Sequence, residues 1–363
     1  MTARGHSTRE LGNSSAEVRR WSANGASSRL AKPLPTLEMV AAEAGVSRST
    51  VSRVVNNSPK VRPDVVSSVN AAIARLNYSP NRAARSLASR QTYAIALMVP
   101  EDTTRFFGDP YFASIVKGIT NELESSDYVL NLLVASSDPN RKTRRYLRGG
   151  NVDGAFVVSH HAGDQDLIEL NQTMPVVFGG RPAVPDLGDG YYVDVDNIAG
   201  GRQATEYLLS RGYRRIGTIT GPTDMPAAID RLKGWRSVMQ EHSLPDDAVV
   251  HGAFTSFSGA TAMRELLDRH PDLEAVFVAS DLMARGALAT LADRGISVPG
   301  EVAVIGYDDS SAATSGELKL TTISQPSEEM GSRMATLLLE ILAGHEPDHA
   351  VVLSTSLVVR DSA

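Results

Sequence analysis

The spacing of the hydrophobic residues divides the chain into regions of different structure. Residues 1–35 show little apolar periodicity and are rich in Ser, Gly, Ala and Arg, which is typical of a disordered leader. From residue 36 to about residue 80 the apolar positions recur at helical spacing, whereas beyond residue 92 short apolar runs alternate with helix-like stretches. The pattern predicts a small all-α head and a larger α/β core, joined by a linker over residues 81–92.

The head is predicted to contain three short helices. Thr36 is suited to cap the first helix, and Gly45 is suited to end it. A second helix is expected to begin near Ser47 and a third at Pro63. The apolar residues that share a face are Leu37, Val40, Ala41 and Ala44 in the first helix, and Val65, Val66, Val69, Ala72, Ile73 and Leu76 in the third. These faces predict a three-helix bundle.

The core is predicted to be a doubly wound α/β structure. Apolar runs of strand length occur at residues 94–99, 128–134, 154–158, 176–178, 215–220, 275–279 and 302–307. Such continuous runs are typical of parallel strands that are buried on both faces. They outnumber the strands of one ordinary sheet, so we expect two lobes. Ligands of such sheets bind beyond the carboxyl ends of the strands.

Charge separates the head from the core. The net charge of the 363 residues is −6, but residues 1–90 hold 14 Lys and Arg against 5 Asp and Glu. The basic head indicates contact with a polyanion. The chain has no cysteine, which excludes disulfides and thiol chemistry and fits a reducing compartment. No apolar stretch reaches the length of a membrane span, and the N-terminus lacks a signal peptide, so we expect a cytoplasmic protein without a membrane partner.

The second helix of the head has one apolar and one polar face. Val51, Val54 and Val55 share one side, and the opposite side carries Arg48, Ser49, Ser52 and Arg53. The valines would anchor the helix and leave the other face free. Arginine pairs with guanine in the DNA major groove, and serine reaches bases or phosphates. The helix therefore favours DNA reading, and the alternative is a solvated face of a small bundle.

A resemblance to a known family agrees with this interpretation. Residues 36–89, TLEMVAAEAGVSRSTVSRVVNNSPKVRPDVVSSVNAAIARLNYSPNRAARSLAS, resemble the helix-turn-helix and hinge of the lactose-repressor (LacI/GalR) family of bacterial transcription regulators. The motif VAxxAGVSxxTVSRVxN is specific, and the similarity extends through most of residues 36–360. The resemblance implies a two-lobed periplasmic-binding-protein-like core in which the chain crosses between the lobes three times. The implied domains are helix-turn-helix 36–80, hinge 81–92 and core 93–363, with lobe 1 at about 93–193 and 325–354 and lobe 2 at about 194–324 and 355–363.

The resemblance also assigns residues to DNA. Arg48 and Ser49 match positions that read variable base pairs in the family, and Arg53 matches its common base-contacting arginine. In the family the hinge becomes helical only on operator DNA, and a leucine that Leu87 matches enters the minor groove. An apolar wedge flanked by arginines is physically suited to that role, although an ordinary amphipathic linker is the alternative. The assigned residues are Ser47, Arg48, Ser49, Thr50, Arg53, Asn56, Asn81, Arg82, Arg85 and Leu87.

A second set of residues is assigned to a small-molecule effector. Arg181, Ser280 and Asp308 each follow a predicted strand, which places them at the ligand-binding edge. By resemblance the set extends to Tyr111, Phe112, Arg181, Arg231, Phe254, Ser280, Asp308 and Gln325, and His160 is added because it follows a predicted strand. Arginines and carboxylates pair with vicinal hydroxyls, and aromatic faces cover sugar C–H surfaces, so the set suits a carbohydrate.

Some of these assignments have structural alternatives. Gly180 and Ser280 are smaller than the residues of many relatives, which favours a disaccharide such as cellobiose over a pentose and leaves the individual sugar open. Arg231 could form a surface ion pair instead of holding a ligand. Asp281 is expected to cap the helix that follows it. One residue of the pair His160-His161 is expected to face the cleft, and the pair is a weak candidate for a metal site.

These features together predict a homodimeric repressor that a carbohydrate releases from a palindromic operator. Two heads are needed for a palindrome, and the chain shows no leucine-heptad tail after Val359. The alternative within the family is a regulator with a purine or protein corepressor. A transport protein would need a signal peptide and no basic head. Common catalytic motifs are absent, so we expect no enzyme activity, catalytic residue, metal or cofactor.

Overall fold

The computed structural model describes residues 35–55, 58–79, 91–136, 142–163, 166–182 and 190–363. Its contacts divide the chain into two compact units, with the division at residues 81 and 82. The leader before residue 35 and the predicted DNA contacts Asn56, Asn81, Arg82, Arg85 and Leu87 lie outside the described residues. Within the described ranges, no helix combines the length and the apolar character that crossing a membrane requires.

The first unit is a bundle of three helices, as predicted: α1 (Leu37–Ala44), α2 (Arg48–Val55) and α3 (Pro63–Leu76). The Thr36 hydroxyl accepts a hydrogen bond from the Met39 N–H at 3.3 Å and caps α1. Gly45 ends α1 with a φ of 66°, a left-handed conformation that favours glycine. The core of the bundle consists of Val40, Ala41, Val51, Val54, Val69, Ala72 and Tyr78. One small apolar cluster therefore holds all three helices.

The second unit contains two six-stranded sheets with helices packed on them. In chain order its elements are β1 (Ala94–Val99), α4 (Thr103–Gly108), α5 (Pro110–Leu123), β2 (Val129–Val134), α6 (Lys142–Arg148), β3 (Gly154–Val158), α7 (Asp166–Asn171), β4 (Val176–Gly179), β5 (Tyr191–Val195), α8 (Asn197–Ser210), β6 (Ile216–Thr220), α9 (Pro226–Glu241), β7 (Val249–His251), α10 (Ser256–Arg269), β8 (Ala275–Val278), α11 (Asp281–Asp293), β9 (Ala303–Asp308), α12 (Ser311–Thr314), β10 (Thr321–Ser324), α13 (Ser327–Leu342), β11 (Ala350–Leu353) and β12 (Ser356–Val358).

Each sheet forms one lobe. Lobe 1 has the strand order β11-β5-β4-β3-β1-β2, and all of its pairs are parallel. Lobe 2 has the order β12-β10-β9-β8-β6-β7, in which only the edge strand β12 runs antiparallel. The chain passes between the lobes after β5, after β10 and after β11. The doubly wound, two-lobed class with three crossings is thus confirmed.

The inner strands explain why the apolar runs were a sound signal. Every residue of β3, β4, β6 and β8 is buried, because helices cover both faces of a parallel sheet. Polar residues that line the cleft, such as His160, Arg181 and Ser280, follow shortly after the ends of such strands. In both lobes those carboxyl ends supply residues to one cleft.

Candidate functional site

A cleft lies between the two lobes of the second unit. Its empty volume is about 640 Å³, counting space that is open to solvent, and small-molecule pockets measure about 300–1,000 Å³. Eight of the nine residues predicted for the effector line this cleft: Tyr111, His160, Arg181, Arg231, Phe254, Ser280, Asp308 and Gln325. The structure therefore brings these distant positions together, and their contact with an effector stays a prediction.

Phe112 is the exception, and its assignment to the cleft is corrected. It is only 2% exposed and packs in the core of lobe 1, with its ring 5.2 Å from that of Phe106. Tyr111 instead lines the cleft, where its hydroxyl lies 3.9 Å from the sulfur of Met330. Both residues are in the first turn of α5, and adjacent helical residues point about 100° apart. Only one of them can face the ligand space.

Arg231 is buried and hydrogen-bonded in the wall of the cleft. It lies on α9, is 5% exposed, and donates hydrogen bonds to the Asn197 side chain (2.9 Å), the Ala279 carbonyl (2.6 Å) and the Gln325 side chain (3.3 Å). Its guanidinium carbon is 3.6 Å from the centre of the Tyr307 ring. Arg231 is therefore a buried residue of fixed geometry, and the alternative of a surface ion pair is wrong.

Close packing of α8 and α9 holds Arg231 in place. A β-carbon on Gly201 would lie 2.3 Å from the Arg231 carbonyl oxygen, and one on Gly234 would lie 2.3 Å from the Ile198 carbonyl oxygen. Both helices thus need glycine where they touch. The backbone that carries Arg231 is fixed by this contact before any ligand binds.

Asp308 is the carboxylate nearest to Arg231, with 3.6 Å between Oδ1 and Nη1. It also accepts a hydrogen bond of 2.6 Å from the Gln325 side-chain amide. Burial raises the pKa of the Asp308 carboxyl, and the Arg231 charge opposes that rise. Asp308 and Asp309 have φ values of 114° and 55°, which are strained for non-glycine residues. Such strain at the end of β9 is typical of a functional position.

Two further carboxyls line the cleft and were missed from the sequence. Asp109 accepts a hydrogen bond from the Tyr111 N–H and caps α5, and Asp194 accepts bonds from the Arg181 N–H and the Asn197 side chain. Burial raises the pKa of both carboxyls. Residue 109 lies in the connection after the first apolar run. It follows α4 and not the strand directly, so the strand-end rule that found Arg181 does not reach it.

One arginine of the cleft was also missed from the sequence. The cleft contains Arg105 of α4 in addition to Arg181 and Arg231. Arg181 donates a hydrogen bond of 2.7 Å to Asp230, which lies on α9 in the other lobe. The cleft thus combines three guanidinium donors with three carboxyl acceptors. This arrangement can bind a neutral, hydroxyl-rich molecule from several sides.

The two adjacent histidines have different surroundings, as expected from alternation at a strand end. His160 is buried in the cleft wall, and its Nε2 is 3.1 Å from the Arg181 carbonyl oxygen. His161 lies 3.5 Å from Glu101 and 3.0 Å from Asp224, which belongs to lobe 2. Hydrogen bonding to Glu101, followed by Asp224, raises the pKa of His161 to about 9. In the described part of the chain, no group of three acidic or histidine residues is arranged to hold a metal ion.

The start of α11 differs from the expectation. Ser280 is its N-cap and accepts a hydrogen bond of 3.3 Å from the Met283 N–H. Asp281 instead accepts hydrogen bonds from Ser310 and Thr322, and burial raises its pKa to about 7. Capping by Asp281 is therefore wrong by one residue, because the hydroxyl that precedes it reaches the free N–H first.

In the first unit, α2 presents its polar residues to solvent. Arg48, Ser49 and Arg53 are exposed, while Val51 and Val54 are buried against the other helices. Ser47 accepts a hydrogen bond from the Thr50 N–H at 3.1 Å, which stabilises the start of the helix. Arg48 pairs with Glu38 of α1 at 3.0 Å, whereas Arg53 has no ion pair within the described residues. The apolar and polar faces are those that the sequence pattern predicts.

Comparisons with known proteins identify both units. The model of the lacI family of bacterial regulatory proteins matches residues 36–81, and the model of the periplasmic binding protein-like domain matches residues 205–363. The HTH-type transcriptional regulator CelR of Thermobifida fusca is 45% identical over 333 residues, which cover 90% of this chain and 98% of the relative.

Two solved structures share the architecture. The complex of the transcriptional regulator CelR with cellobiose has a TM-score of 0.72 at 44% identity, over 91% of this chain and all of the other. The lac repressor dimer bound to operator and the anti-inducer ONPF has a TM-score of 0.80 at 29% identity, over 91% and 99%. These relatives are named as regulators rather than enzymes. The resemblance found in the sequence is confirmed, and the chain belongs to the lacI family of bacterial regulatory proteins.

Proposed function

We propose that the chain is a sequence-specific repressor of bacterial transcription that a carbohydrate, most simply cellobiose, releases from a palindromic operator. The observation that carries the proposal is the cleft, where three arginines and three carboxyls surround a space between two lobes. The identity of 45% with CelR supports the choice of sugar, because the solved structure of a regulator named CelR is a complex with cellobiose. The site of action is the bacterial cytoplasm, where operator DNA is found.

The lining of the cleft suits a disaccharide. Guanidinium groups donate hydrogen bonds to hydroxyl oxygens, and carboxylates accept hydrogen bonds from hydroxyl protons. Phe254 and Met330 add apolar surface. At Gly180, the nearest atom to a hypothetical β-carbon is 3.7 Å away, in His160, so the glycine leaves space beside the cleft wall. A larger sugar than a pentose would use that space.

DNA reading is assigned to α2. Its exposed Arg48, Ser49 and Arg53 suit the major groove, where arginine pairs with guanine. One such helix covers one half-site, so a palindrome requires two heads. The hinge contacts proposed for residues 81–92, with Leu87 as the minor-groove wedge, remain part of the proposal.

A homodimer supplies the two heads. Phe107 of lobe 1 and Phe257 of lobe 2 are 77% and 80% exposed. Burial of these two rings against a partner would remove apolar surface from water. A second copy of the chain would cover them, and the lac repressor relative is itself a dimer on operator.

The effector acts through its difference in affinity between two arrangements of the lobes. A ligand that contacts both lobes stabilises the closed arrangement, which separates the two hinges and releases DNA. A shift from mostly bound to mostly free DNA requires a preference of about 10⁴-fold, or ~5.5 kcal/mol.

A titration tests the proposal. The purified chain, bound to an operator fragment, is titrated with cellobiose, glucose, ribose and purine bases while operator binding is followed by gel shift. We expect cellobiose to release the DNA and purines to leave it bound. Tighter DNA binding with a purine would contradict the proposal and indicate a corepressor, whereas light scattering that shows a monomer or a tetramer would contradict the dimer.

A further inference from the structure

Arg105 connects the two lobes at the cleft. It lies on the short helix α4 of lobe 1, which Asp102 caps through the Arg105 N–H at 2.9 Å. The Arg105 side chain is 12% exposed, lines the cleft, and donates a hydrogen bond of 2.8 Å to the Ala253 carbonyl of lobe 2. A guanidinium that crosses the cleft is thus part of its wall.

Arg105 also ends a column of alternating rings and guanidinium groups. The guanidinium of Arg231 is 3.6 Å from the Tyr307 ring centre and 6.0 Å from that of Phe254. The guanidinium of Arg105 is 5.1 Å from the same Phe254 ring. A cation that lies over the face of an aromatic ring is attracted to that ring. The column runs from the interior of lobe 2 to lobe 1, and Arg105 is its contribution from lobe 1.

One donor of Arg105 lacks an acceptor. Within the described residues its buried Nε–H makes no hydrogen bond, since the Glu101 carboxylate at 3.4 Å lies outside hydrogen-bond geometry. Buried guanidinium donors are normally satisfied. Glu101 is itself held by the Ser159 hydroxyl at 2.7 Å, so the carboxylate fixes where this donor lies. The Nε–H therefore faces the Glu101 carboxylate, and the rest of the guanidinium, which lines the cleft, is held where it can donate to a ligand oxygen.

We propose that Arg105 is an effector-binding residue that donates hydrogen bonds to a sugar oxygen, and that Glu101 positions it. This inference rests on the proposed carbohydrate effector. Arg231 holds the sugar from the buried end of the column, and Arg105 holds it from the lobe 1 end. The contact with Arg105 therefore adds affinity only when the lobes are closed.

Calorimetric titration of the full chain with cellobiose tests the proposal. We expect Arg105→Met, which keeps the length of the side chain and removes its donors, to weaken cellobiose binding by about tenfold to a hundredfold, as expected for a bond to a charged group. Arg105→Lys should recover part of the loss because it restores a cation. The control is Arg333→Ala, an exposed arginine of α13, which should bind like the parent.

The role of Glu101 is tested by a double-mutant cycle. Glu101→Gln should weaken cellobiose binding more in the parent background than in the Arg105→Met background, because its contact with His161 is lost in both and its contact with Arg105 only in the first. A role that does not act through Arg105 would give the same loss in both. Equal affinity of the parent, Arg105→Met and Arg105→Lys would overturn the inference and leave the proposed function intact. A parent chain that binds no sugar would overturn the proposed function and the inference with it.

Discussion

The arginines of α2 and the arginines of the cleft are held in opposite ways. Arg53 in the first unit is exposed and has no ion pair within the described residues, while Arg231 in the second unit is buried among three acceptors and two aromatic rings. An exposed arginine is mobile and well solvated, which suits attraction to a polyanion. A buried arginine has one allowed geometry and discriminates among small ligands. The same residue type thus serves two kinds of recognition.

Arg231→Ala should have the largest effect, because it leaves the acceptors of a buried cation without their donor. Removing one partner of such a buried pair lowers the free energy of unfolding by about 3–5 kcal/mol. We expect operator binding without sugar to stay close to that of the parent and release by cellobiose to be lost. Gel shifts with and without cellobiose measure both quantities.

Arg236→Ala is the matched control, since Arg236 lies on the same helix in an exposed pair with Asp246. It should release DNA like the parent. Release of DNA by Arg231→Ala at parental sugar concentrations would contradict the assignment of the cleft and remove the contrast between the two arginines.

Arg53→Ala should weaken DNA recognition by α2, and the effect should be smaller than that of Arg231→Ala on release. A bidentate pair of arginine with guanine contributes about 1–3 kcal/mol of discrimination. Binding to operator should therefore weaken more than binding to random DNA, and cellobiose affinity should not change. Competition assays at fixed salt measure the ratio, with Arg75→Ala, an exposed arginine of α3, as the control. Equal losses on both DNAs would show that Arg53 contacts only phosphates.

The first unit was predictable because its signals are local. Thr36, Gly45 and Pro63 mark helix ends, and the faces of α2 follow from the spacing of a few consecutive residues. Most inner strands were predictable for a similar reason, since they are continuous apolar runs, whereas the inner strands β5 and β10 contain polar residues and were missed. The edge strands β7 and β12 have three residues each and partly exposed side chains, so no such run marks them.

The cleft was only partly predictable, because its residues meet through tertiary structure. Arg105 and Asp194 are far apart in the sequence, and neither is distinguished by its neighbours from an ordinary surface charge. The choice between Tyr111 and Phe112 depends on the rotation of α5 about its axis. The spacing of apolar residues in the sequence does not determine that rotation to within one residue. Asp281 was misassigned by one position because the hydroxyl of Ser280 before it caps α11.

His161 lies between the two extremes, as a partly exposed cation that bridges lobes. It faces Glu101 and Asp224, with Arg105 and Ser159 on the far side of Glu101. Because its pKa is raised to about 9, the protonated bridge is fully present below pH 6.5 and is lost as the pH rises through about 9. Closure, and with it cellobiose affinity, should weaken from pH 7 to pH 10 by about 1 kcal/mol or less. Calorimetry across this range checks the prediction, and a His161→Gln variant with an equally steep decline would contradict it.

The last expected effect, similar in size, concerns how the two units are stabilised rather than what they bind. Thr36→Ala removes the cap of α1 and should cost about 1 kcal/mol, which is a large share of the stability of a bundle with one small apolar cluster. Hydrogen exchange of the full chain should show faster exchange of α1 amides and unchanged protection in the second unit. Thr255→Ala, the matched loss of a cap on α10, should leave α1 unchanged, because the units have separate cores. Faster exchange in both units for either variant would show that they unfold together, and the division between an independent head and an independent core would be wrong.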